Sequence, residues 1–351
     1  MIMKKPYVFT SLTRISPLPD IDFQVAPRPF DQWENGDYVV AEVTTRRNAL
    51  KVELVNGRMM ETAKGDLVVG ALGVRFATLE AVGSWQDVQE DLQMHMLTGA
   101  GLMGRATSRS FQLPPLIGIK YLGHVKVDGH FTGMDDYVKH QEHADFKTPC
   151  ILMVGTSMSA GKTTAAKIII RELKKKNLRI LGAKITGAGR LRDILVMKDS
   201  GADAIYDFVD VGLPSSICEE GQYRKALRTL LHHMAGEQAD VAVMEIGASP
   251  MEPYNGQTAI EMLGDNIKTI ILCASDPYGV YGVMKAFGLK PDLVSGIATN
   301  TEAGVQLIEK LSGVRALNVM DPESRGEMVD IIMKTLNSKT PVAVEGQKIK
   351  N

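Results

Sequence analysis

Residues 155–170 read GTSMSAGKTTAAKIII and directly follow the apolar run CILMV. A buried strand, a glycine-rich turn and a helix in this order predict a phosphate-binding loop, because N–H groups of the turn and the helix N-terminus carry partial positive charge. Lys162 would reach the β and γ phosphates of a nucleotide, and the Thr163 hydroxyl would hold Mg²⁺. The residues expected to bind the nucleotide are Gly155, Thr156, Ser157, Ser159, Ala160, Gly161, Lys162, Thr163 and Thr164.

The sequence after Pro149 alternates apolar strands with helical patterns. The apolar segments RILGAKIT, DVAVMEIGA, KTIILCAS and LVSGIATN are continuous rather than alternating. Such segments, separated by helices, are typical of a parallel sheet that is covered on its faces. We therefore predict an α/β fold, a P-loop parallel sheet wound with helices, over residues 149–351.

The first third of the chain has a different texture. From Asp37 to Val82, short alternating apolar runs broken by glycines predict strands, with Asn56-Gly57 as a hairpin turn. The segment SWQDVQEDLQMHMLTGAG predicts a helix capped by Ser84 that runs from Gln86 to Leu97. We expect a β-rich N-terminal domain with one helix over residues 1–128.

Residues 129–148 are polar and almost without apolar periodicity, so we predict a linker there. The segment contains three histidines and two aspartates that a metal could use. No helical or hairpin spacing brings them together, which favours a solvated connector over a metal cluster. These five residues are His130, Asp135, Asp136, His140 and His143.

The charges of the chain are balanced, with 40 basic and 41 acidic side chains and a net charge of -1. This balance argues against a nucleic-acid or anionic-membrane partner and favours a small molecule held by a local site. Cys150, Cys218 and Cys273 have no metal-type spacing, so we expect reduced structural thiols. With no signal peptide and no apolar run long enough to span a bilayer, we expect a cytoplasmic protein.

Charged residues follow several of the predicted strands. Lys184 and Arg190, beside a glycine-rich turn, suit a transferred phosphoryl group or a carboxylate, although a pair of solvent-exposed charges is the alternative. Glu245 ends a very apolar strand and is well placed to hold Mg²⁺ opposite a phosphate loop. Asp199, Asp203 and Asp207 recur at four-residue spacing, which predicts one helical face, either a metal ligand or an exposed acidic stripe.

The loop resembles that of dethiobiotin synthetase and its relatives among the SIMIBI P-loop proteins, because five residues rather than four separate Gly155 from Gly161. It also resembles a P-loop family of unknown function that includes a D-glutamate N-acetyltransferase. Both carry Asp where this chain has Ser157. The resemblance covers roughly residues 150–335, and the second family's further motif is matched by Glu245, Ser249, Pro253, Tyr254 and Gly256.

The resemblance implies roles for individual residues. Lys184 matches a second lysine that contacts nucleotide and substrate, and Asp203, with Asp207 as the alternative, matches an acidic metal ligand. Asn300, in SGIATNT, matches an asparagine that binds the purine edge, and its amide both donates and accepts. The guanine signature Asn-Lys-x-Asp is absent from the sequence, which favours ATP over GTP. A homodimer or higher homo-oligomer is also implied. Because ligands of open α/β sheets bind beyond the carboxyl ends of the strands, we expect the site to be closed between domains or subunits.

Three functions fit this pattern. The leading hypothesis is an ATP- and Mg²⁺-dependent enzyme, of kinase or ligase type, that activates a small carboxylate- or amine-bearing substrate by phosphoryl transfer. Its catalytic residues would be Lys162, Lys184, Arg190 and Glu245, with Mg²⁺ held by Thr163, Asp203 and Glu245. One alternative is an acyl-CoA-dependent N-acyltransferase whose loop binds the phosphates of coenzyme A. The other is a nucleotide-hydrolysing switch or metallochaperone acting on a partner protein.

Overall fold

The computed structural model describes residues 7–45, 50–139, 144–247 and 249–338. The chain forms two compact units. The first comprises Met1–Gln141, Gly187–Arg192 and Asp207–Leu230, and the second comprises Glu142–Thr186, Asp193–Tyr206 and Leu231–Asn351.

The first unit is not contiguous in sequence, in contrast to the single α/β region expected from 149 to 351. Residues 187–192 and 207–230 belong to it. These two segments bind each other through backbone hydrogen bonds, from Gly189 N to the Pro214 carbonyl at 3.0 Å and from Ser216 N to the Gly187 carbonyl at 2.9 Å. Local sequence patterns carry no signal for such pairing between distant segments.

Strands are the main regular secondary structure of the first unit, as predicted. They are β1 Tyr7–Phe9, β2 Gln24–Ala26, β3 Tyr38–Val43, β4 Val52–Glu53, β5 Met59–Met60, β6 Leu67–Leu72, β7 Val74–Phe76, β8 Ala81–Ser84, β9 Gln93–Met96, β10 Leu102–Arg109, β11 Ile117–Val127 and β12 His130–Phe131. The predicted hairpin turn at Asn56-Gly57 joins β4 to β5, and Gly57 has the positive φ of 81° that this turn requires.

Five of these strands close into a barrel. The main sheet has the order β1-β6-β3-β11-β9-β10-β8-β7, and β6 also pairs with β10 in parallel. The pairings β6–β3, β3–β11, β11–β9, β9–β10 and β10–β6 therefore form a ring, which removes the exposed edges of those strands. Its buried side chains include Val39, Ala41, Val68, Leu72, Met94, Met96, Met103, Ile117 and Ile119.

The helix predicted from Gln86 to Leu97 is wrong. Ser84 does accept a hydrogen bond from Gln86 N, but the helix is a single 3-10 turn, Trp85–Asp87, and the chain then enters β9. Met94 and Met96 are buried, whereas Gln93 and His95 are only partly buried. This period of two fits a strand, so pairing within the barrel overrides the local helix propensity.

Residues 129–139 are part of the first unit rather than of a linker. β12 pairs with the end of β11, Tyr38 N donates to the Thr132 carbonyl, and Met134 is fully buried. His130 lies in β12 and is exposed, whereas His140 and His143 lie outside the described residues. In the described part of the chain, no three His, Cys, Asp or Glu side chains are grouped to hold a metal ion.

The second unit has the predicted α/β fold. Its sheet has the order β15-β14-β16-β13-β17-β18, and β14, β16, β13, β17 and β18 pair in parallel. The strands are β13 Cys150–Gly155, β14 Ile180–Thr186, β15 Ala204–Asp207, β16 Val241–Ile246, β17 Ile267–Cys273 and β18 Leu293–Ser295. Its helices are α1 Lys162–Lys174, α4 Gly256–Leu263, α5 Pro277–Phe287, α6 Glu302–Ser312 and α7 Arg325–Leu336. Two more helices, α2 Leu191–Asp199 and α3 Glu220–Ala235, begin in segments of the first unit and end in the second.

The core of the second unit lies between this sheet and its helices. α1 packs against β13, β16 and β17, and α7 packs against β17 and α1. Cys150 and Cys273 are buried in the strands, and all three cysteine thiols are reduced. None of the helices in the described ranges combines the length and hydropathy needed to cross a membrane.

Glu53 gives a stability prediction for the first unit. Its buried carboxylate accepts hydrogen bonds from Ser11 Oγ at 2.5 Å, Leu191 N at 2.8 Å and Arg192 N at 2.9 Å. We expect Glu53→Gln to lower the free energy of unfolding by about 2 kcal/mol, because the new amide group faces buried donors. Chemical denaturation measures this. Glu61→Gln, at a side chain that is 75% exposed, is the control, and equal stability of the two variants would contradict the prediction.

Candidate functional site

The phosphate loop connects β13 to α1 at the carboxyl end of the parallel sheet. Gly161 occupies the N-cap position of α1 with a φ of 98°, a left-handed conformation that favours glycine. Because glycine has no side chain, it satisfies none of the N–H groups in the first turn of α1. These donors are available to an anion, and the first turn contains no acidic residue that would repel one.

Lys162 folds back under the loop and is only 1% exposed, in contrast to the solvent-facing charge expected of a phosphate-binding lysine. Its Nζ donates to the Ser157 carbonyl oxygen at 2.7 Å. A Cβ atom at Gly155 would lie 2.7 Å from Nζ and 2.8 Å from Cδ of the lysine, so only glycine leaves room for this side chain. Burial lowers the pKa of Lys162, and the nearby Glu245 carboxylate opposes that effect.

Glu245 is the buried acidic partner of this lysine. It lies in β16 between β13 and β14, where it pairs in register with Met153 on one side and Lys184 on the other. Its Oε2 accepts a hydrogen bond from Thr163 Oγ1 at 3.0 Å. Burial raises the pKa of Glu245, whereas the charges of Lys162 and Lys184 lower it.

Asp193 completes this group of charges, and the sequence analysis missed it. It lies in the first turn of α2, and its Oδ2 accepts from Lys184 Nζ at 2.6 Å. Its negative charge also raises the pKa of Glu245. Lys184, which binds Asp193, pairs in register with Glu245 in the sheet, so the ion pair lies next to that glutamate. The sequence did contain a signal for Asp193, namely an acidic residue at the start of the helix that follows the strand containing Lys184.

The structure does not bring Asp203 to this site. Its carboxylate binds Lys174 Nζ at 2.7 Å and Ile180 N at 2.7 Å, at the last residue of α1 and the first of β14. Lys174 is at the C-terminal end of α1, whereas Lys162 is at its N-terminal end. Ile180 begins β14, whereas Lys184 lies near the end of that strand. A metal ligand role for Asp203 alongside Thr163 and Glu245 is therefore excluded by position.

The predicted helical face with Asp199, Asp203 and Asp207 is also wrong. Asp199 is the last residue of α2, Asp203 lies in the following turn, and Asp207 ends β15. Asp207 caps the next 3-10 turn and forms an ion pair with Arg14, and all of these residues belong to the first unit. Arg190 is exposed and belongs to a segment of the first unit.

Two further loops of the second unit contact the phosphate loop. After β17, Ser275 N donates to Thr156 Oγ1 at 3.1 Å, and the hydroxyls of Ser275 and Ser157 are 3.0 Å apart. After β18, Ile297 N donates to the Ala160 carbonyl at 3.4 Å. The exposed Asn300 follows the 3-10 turn that begins at Ile297. Ser159 in the loop and Thr164 in the first turn of α1 are exposed as well.

Comparisons with known proteins identify no family for this chain: no protein-family model matches it, and none of the curated proteins does. Among solved structures, HypB from Helicobacter pylori in complex with nickel is 14% identical with a TM-score of 0.37, and the match covers 56% of this chain and 91% of that one. A ParA family ATPase from Chlorobium tepidum is 14% identical with a TM-score of 0.31, covering 55% and 95%. A DUF1611 family protein from Anabaena variabilis is 13% identical with a TM-score of 0.32, covering 54% and 57%. We therefore base the functional proposal on the side chains of the site.

The close approach of Gly155 and Lys162 can be tested by substitution. Gly155→Ala places a methyl group against the buried lysine stem, and we expect a loss of about 1 to 3 kcal/mol in the free energy of unfolding. Combining it with Lys162→Ala removes the atoms that clash, so the loss from the added methyl group should largely disappear. Gly282→Ala in α5, where nothing lies within 4 Å, is the control and should gain up to about 1 kcal/mol. An equal loss with and without the lysine would refute this contact.

Proposed function

We propose that this chain binds Mg·ATP at the phosphate loop and activates a small carboxylate- or amine-bearing substrate by phosphoryl transfer. The observation that supports this most is the buried Lys162 ammonium under a glycine-rich loop, with the Thr163–Glu245 hydrogen bond beside it. A buried lysine whose hydrogen bond ends on a single carbonyl oxygen is costly to maintain. Phosphate oxygens would give it a stronger, charge-assisted partner.

Phosphate binding would use two sets of donors. The first-turn N–H groups of α1 would bind phosphate oxygens directly, since Gly161 leaves them uncapped. Lys162 would exchange the Ser157 carbonyl for the β and γ phosphates. Neither step requires a rearrangement of the sheet, because both involve atoms at its carboxyl edge.

Mg²⁺ fits the oxygen donors that lie beside the loop. Thr163 Oγ1 and Glu245 Oε2 are 3.0 Å apart, and Asp193 binds Lys184, the residue that pairs in register with Glu245. Mg²⁺ prefers oxygen ligands and keeps several waters, so few protein groups suffice. The metal would neutralise charge on the phosphates, and in this proposal Asp193 takes the place that the sequence assigned to Asp203.

Phosphoryl transfer needs a group that orients the acceptor, and Lys184 is the candidate. Its ammonium is buried, adjacent to Glu245 in the sheet, and held by Asp193. An acceptor oxygen or nitrogen would attack the γ phosphorus, and the bond from phosphorus to the β–γ bridging oxygen would break to release ADP. Asn300 would bind the adenine edge of the nucleotide. A homodimer remains part of the proposal, and analytical ultracentrifugation tests it.

Lys162→Met tests the nucleotide site, because methionine keeps most of the buried volume but has no charge. We expect calorimetry to show that Mg·ATP affinity falls by a hundredfold or more, roughly 3 kcal/mol, as expected when charge-assisted contacts to phosphates are lost. Lys176→Met, at the exposed end beyond α1, is the matched control and should bind as the wild type does. Unchanged ATP affinity in Lys162→Met would end the nucleotide proposal.

A hydrolysis assay separates a kinase or ligase from a switch. If a protein partner stimulates ATP hydrolysis and small acids and amines do not, the result would favour a switch.

Glu245→Gln and Asp193→Asn test the metal. For Glu245→Gln we expect turnover to fall about a hundredfold or more, because an electrostatic contact near the reacting phosphate is lost. For Asp193→Asn we expect weaker Mg²⁺ dependence of ATP binding, measured by titrating nucleotide with Mg²⁺ and with EDTA. Asp203→Asn, which removes a carboxylate from the other end of α1, should leave both quantities unchanged. If Asp203→Asn reduces Mg²⁺ dependence while Asp193→Asn does not, the proposed metal position is wrong.

A further inference from the structure

A groove on the outside of the first unit is separate from the phosphate loop. Its volume is about 580 Å³, within the usual range for ligand pockets, and it is lined by Phe30, Val88, Gln89, Glu90, Asp91 and Leu92. The floor is apolar: Val88 is buried, and Phe30 is 46% exposed. A large aromatic side chain left half-exposed in a groove is available for contact with another molecule.

Two of the residues that line the groove, Glu90 and Asp91, are acidic, and the chain segments around the lining residues contain further carboxylates. Residues 30–37, FDQWENGD, and 85–92, WQDVQEDL, contain six carboxylates and no lysine or arginine, although the whole chain is nearly neutral. Asp37 points inward, where it binds Arg28 and His124. The other five are exposed, and they are Asp31, Glu34, Asp87, Glu90 and Asp91. Among the described residues, Asp91 alone of these five has an ion pair, with Arg105 at 2.8 Å, so negative side chains outnumber their cationic partners in these two segments.

Backbone hydrogen bonds and aromatic contacts within the first unit support the residues of the groove. Leu92 has a φ of 54°, which is uncommon for a residue other than glycine, and its backbone hydrogen bonds to Gln89 and Tyr121 stabilise it. Phe30 packs against Trp33, with ring centroids 5.0 Å apart, and against Trp85, at 6.3 Å. A site fixed before binding loses little conformational entropy when a ligand arrives.

We propose that this groove binds a peptide segment of a partner protein in which lysine or arginine residues flank one or two large apolar side chains. The apolar side chain would cover Phe30, Val88 and Leu92, and the cationic side chains would pair with the exposed carboxylates of residues 30–37 and 85–92. Charge complementarity of this kind gives specificity and fast association, and its strength falls as salt rises.

The experiment selects peptides from a random 12-residue phage library on the immobilised full-length chain. Peptides that are enriched are then synthesised without tryptophan and titrated against the protein. The chain contains two tryptophans, Trp33 and Trp85, and both pack against Phe30, so intrinsic fluorescence reports on this groove. We expect enriched sequences with lysine or arginine around an apolar residue, a saturable change in emission, and at least fivefold weaker binding when salt rises from 50 to 500 mM.

The control variants separate the groove from general charge effects. Asp87→Lys with Glu90→Lys reverses two of the exposed charges of residues 85–92 and should weaken peptide binding tenfold or more. Asp265→Lys with Asp330→Lys makes the same change in net charge at exposed positions of the second unit and should bind as the wild type does. Thermal unfolding monitors whether each double variant folds. The proposal is overturned if no peptide is enriched, if enriched peptides lack basic residues, or if both double variants bind equally.

A second copy of the chain is the competing occupant, since Phe111 is 98% exposed and offers an apolar side chain. Sedimentation velocity of the wild type and of Phe111→Ser decides this. A stable dimer that both Phe111→Ser and the Asp87→Lys, Glu90→Lys double variant dissociate would mean that the groove is a self-association surface, and the peptide proposal would then be wrong.

Discussion

The site in the second unit depends on two opposite charges buried at the carboxyl edge of one parallel sheet. Lys162 and Glu245 would each be too costly to bury alone, so each requires the other and further polar contacts. Several local features follow from this constraint. Gly155 leaves space for the lysine stem, Thr163 supplies a hydrogen bond to the glutamate, and Gly161 allows the chain to turn into α1. Because each of these residues supports the same pair, the strand–loop–helix segment is locally consistent with its fold.

In the first unit the main constraint is a different one: the edges of its strands have to be paired. Parallel pairing of β6 with β10 closes five strands into a ring, so that only the short outlying strands keep free edges. A closed ring has a filled interior, and the buried valines, isoleucines and methionines of its strands provide it. Binding surfaces of such a small barrel therefore have to lie on its outside, in the segments between strands. The groove lined by Phe30 and residues 88–92 is the surface that we propose for binding.

The sequence predicted features that depend on local pattern. Continuous apolar strands, the glycine-rich loop and the position of Glu245 at the end of β16 were all visible in it, as was the Asn56-Gly57 hairpin. It failed where distant segments decide the structure. The segment around Met94 and Met96 has helix-forming neighbours, but pairing within the barrel makes it a strand. The first unit also includes residues 187–192 and 207–230. These segments are joined by backbone hydrogen bonds, which hydrophobic periodicity in the sequence does not reveal.

The proposed metal position rests on how the charges of Asp203 and Asp193 are paired, and not on their spacing in the sequence. Four-residue spacing and resemblance both favoured Asp203, yet its carboxylate is already satisfied by Lys174 and a backbone N–H group far from the loop. Asp193 and Glu245 are instead balanced by Lys184 and Lys162. Under the proposed function, incoming phosphates would draw on both ammonium groups and leave two carboxylates uncompensated. A divalent cation would neutralise these carboxylates. We therefore expect nucleotide and metal to bind together, because either one alone would leave the site with a net charge.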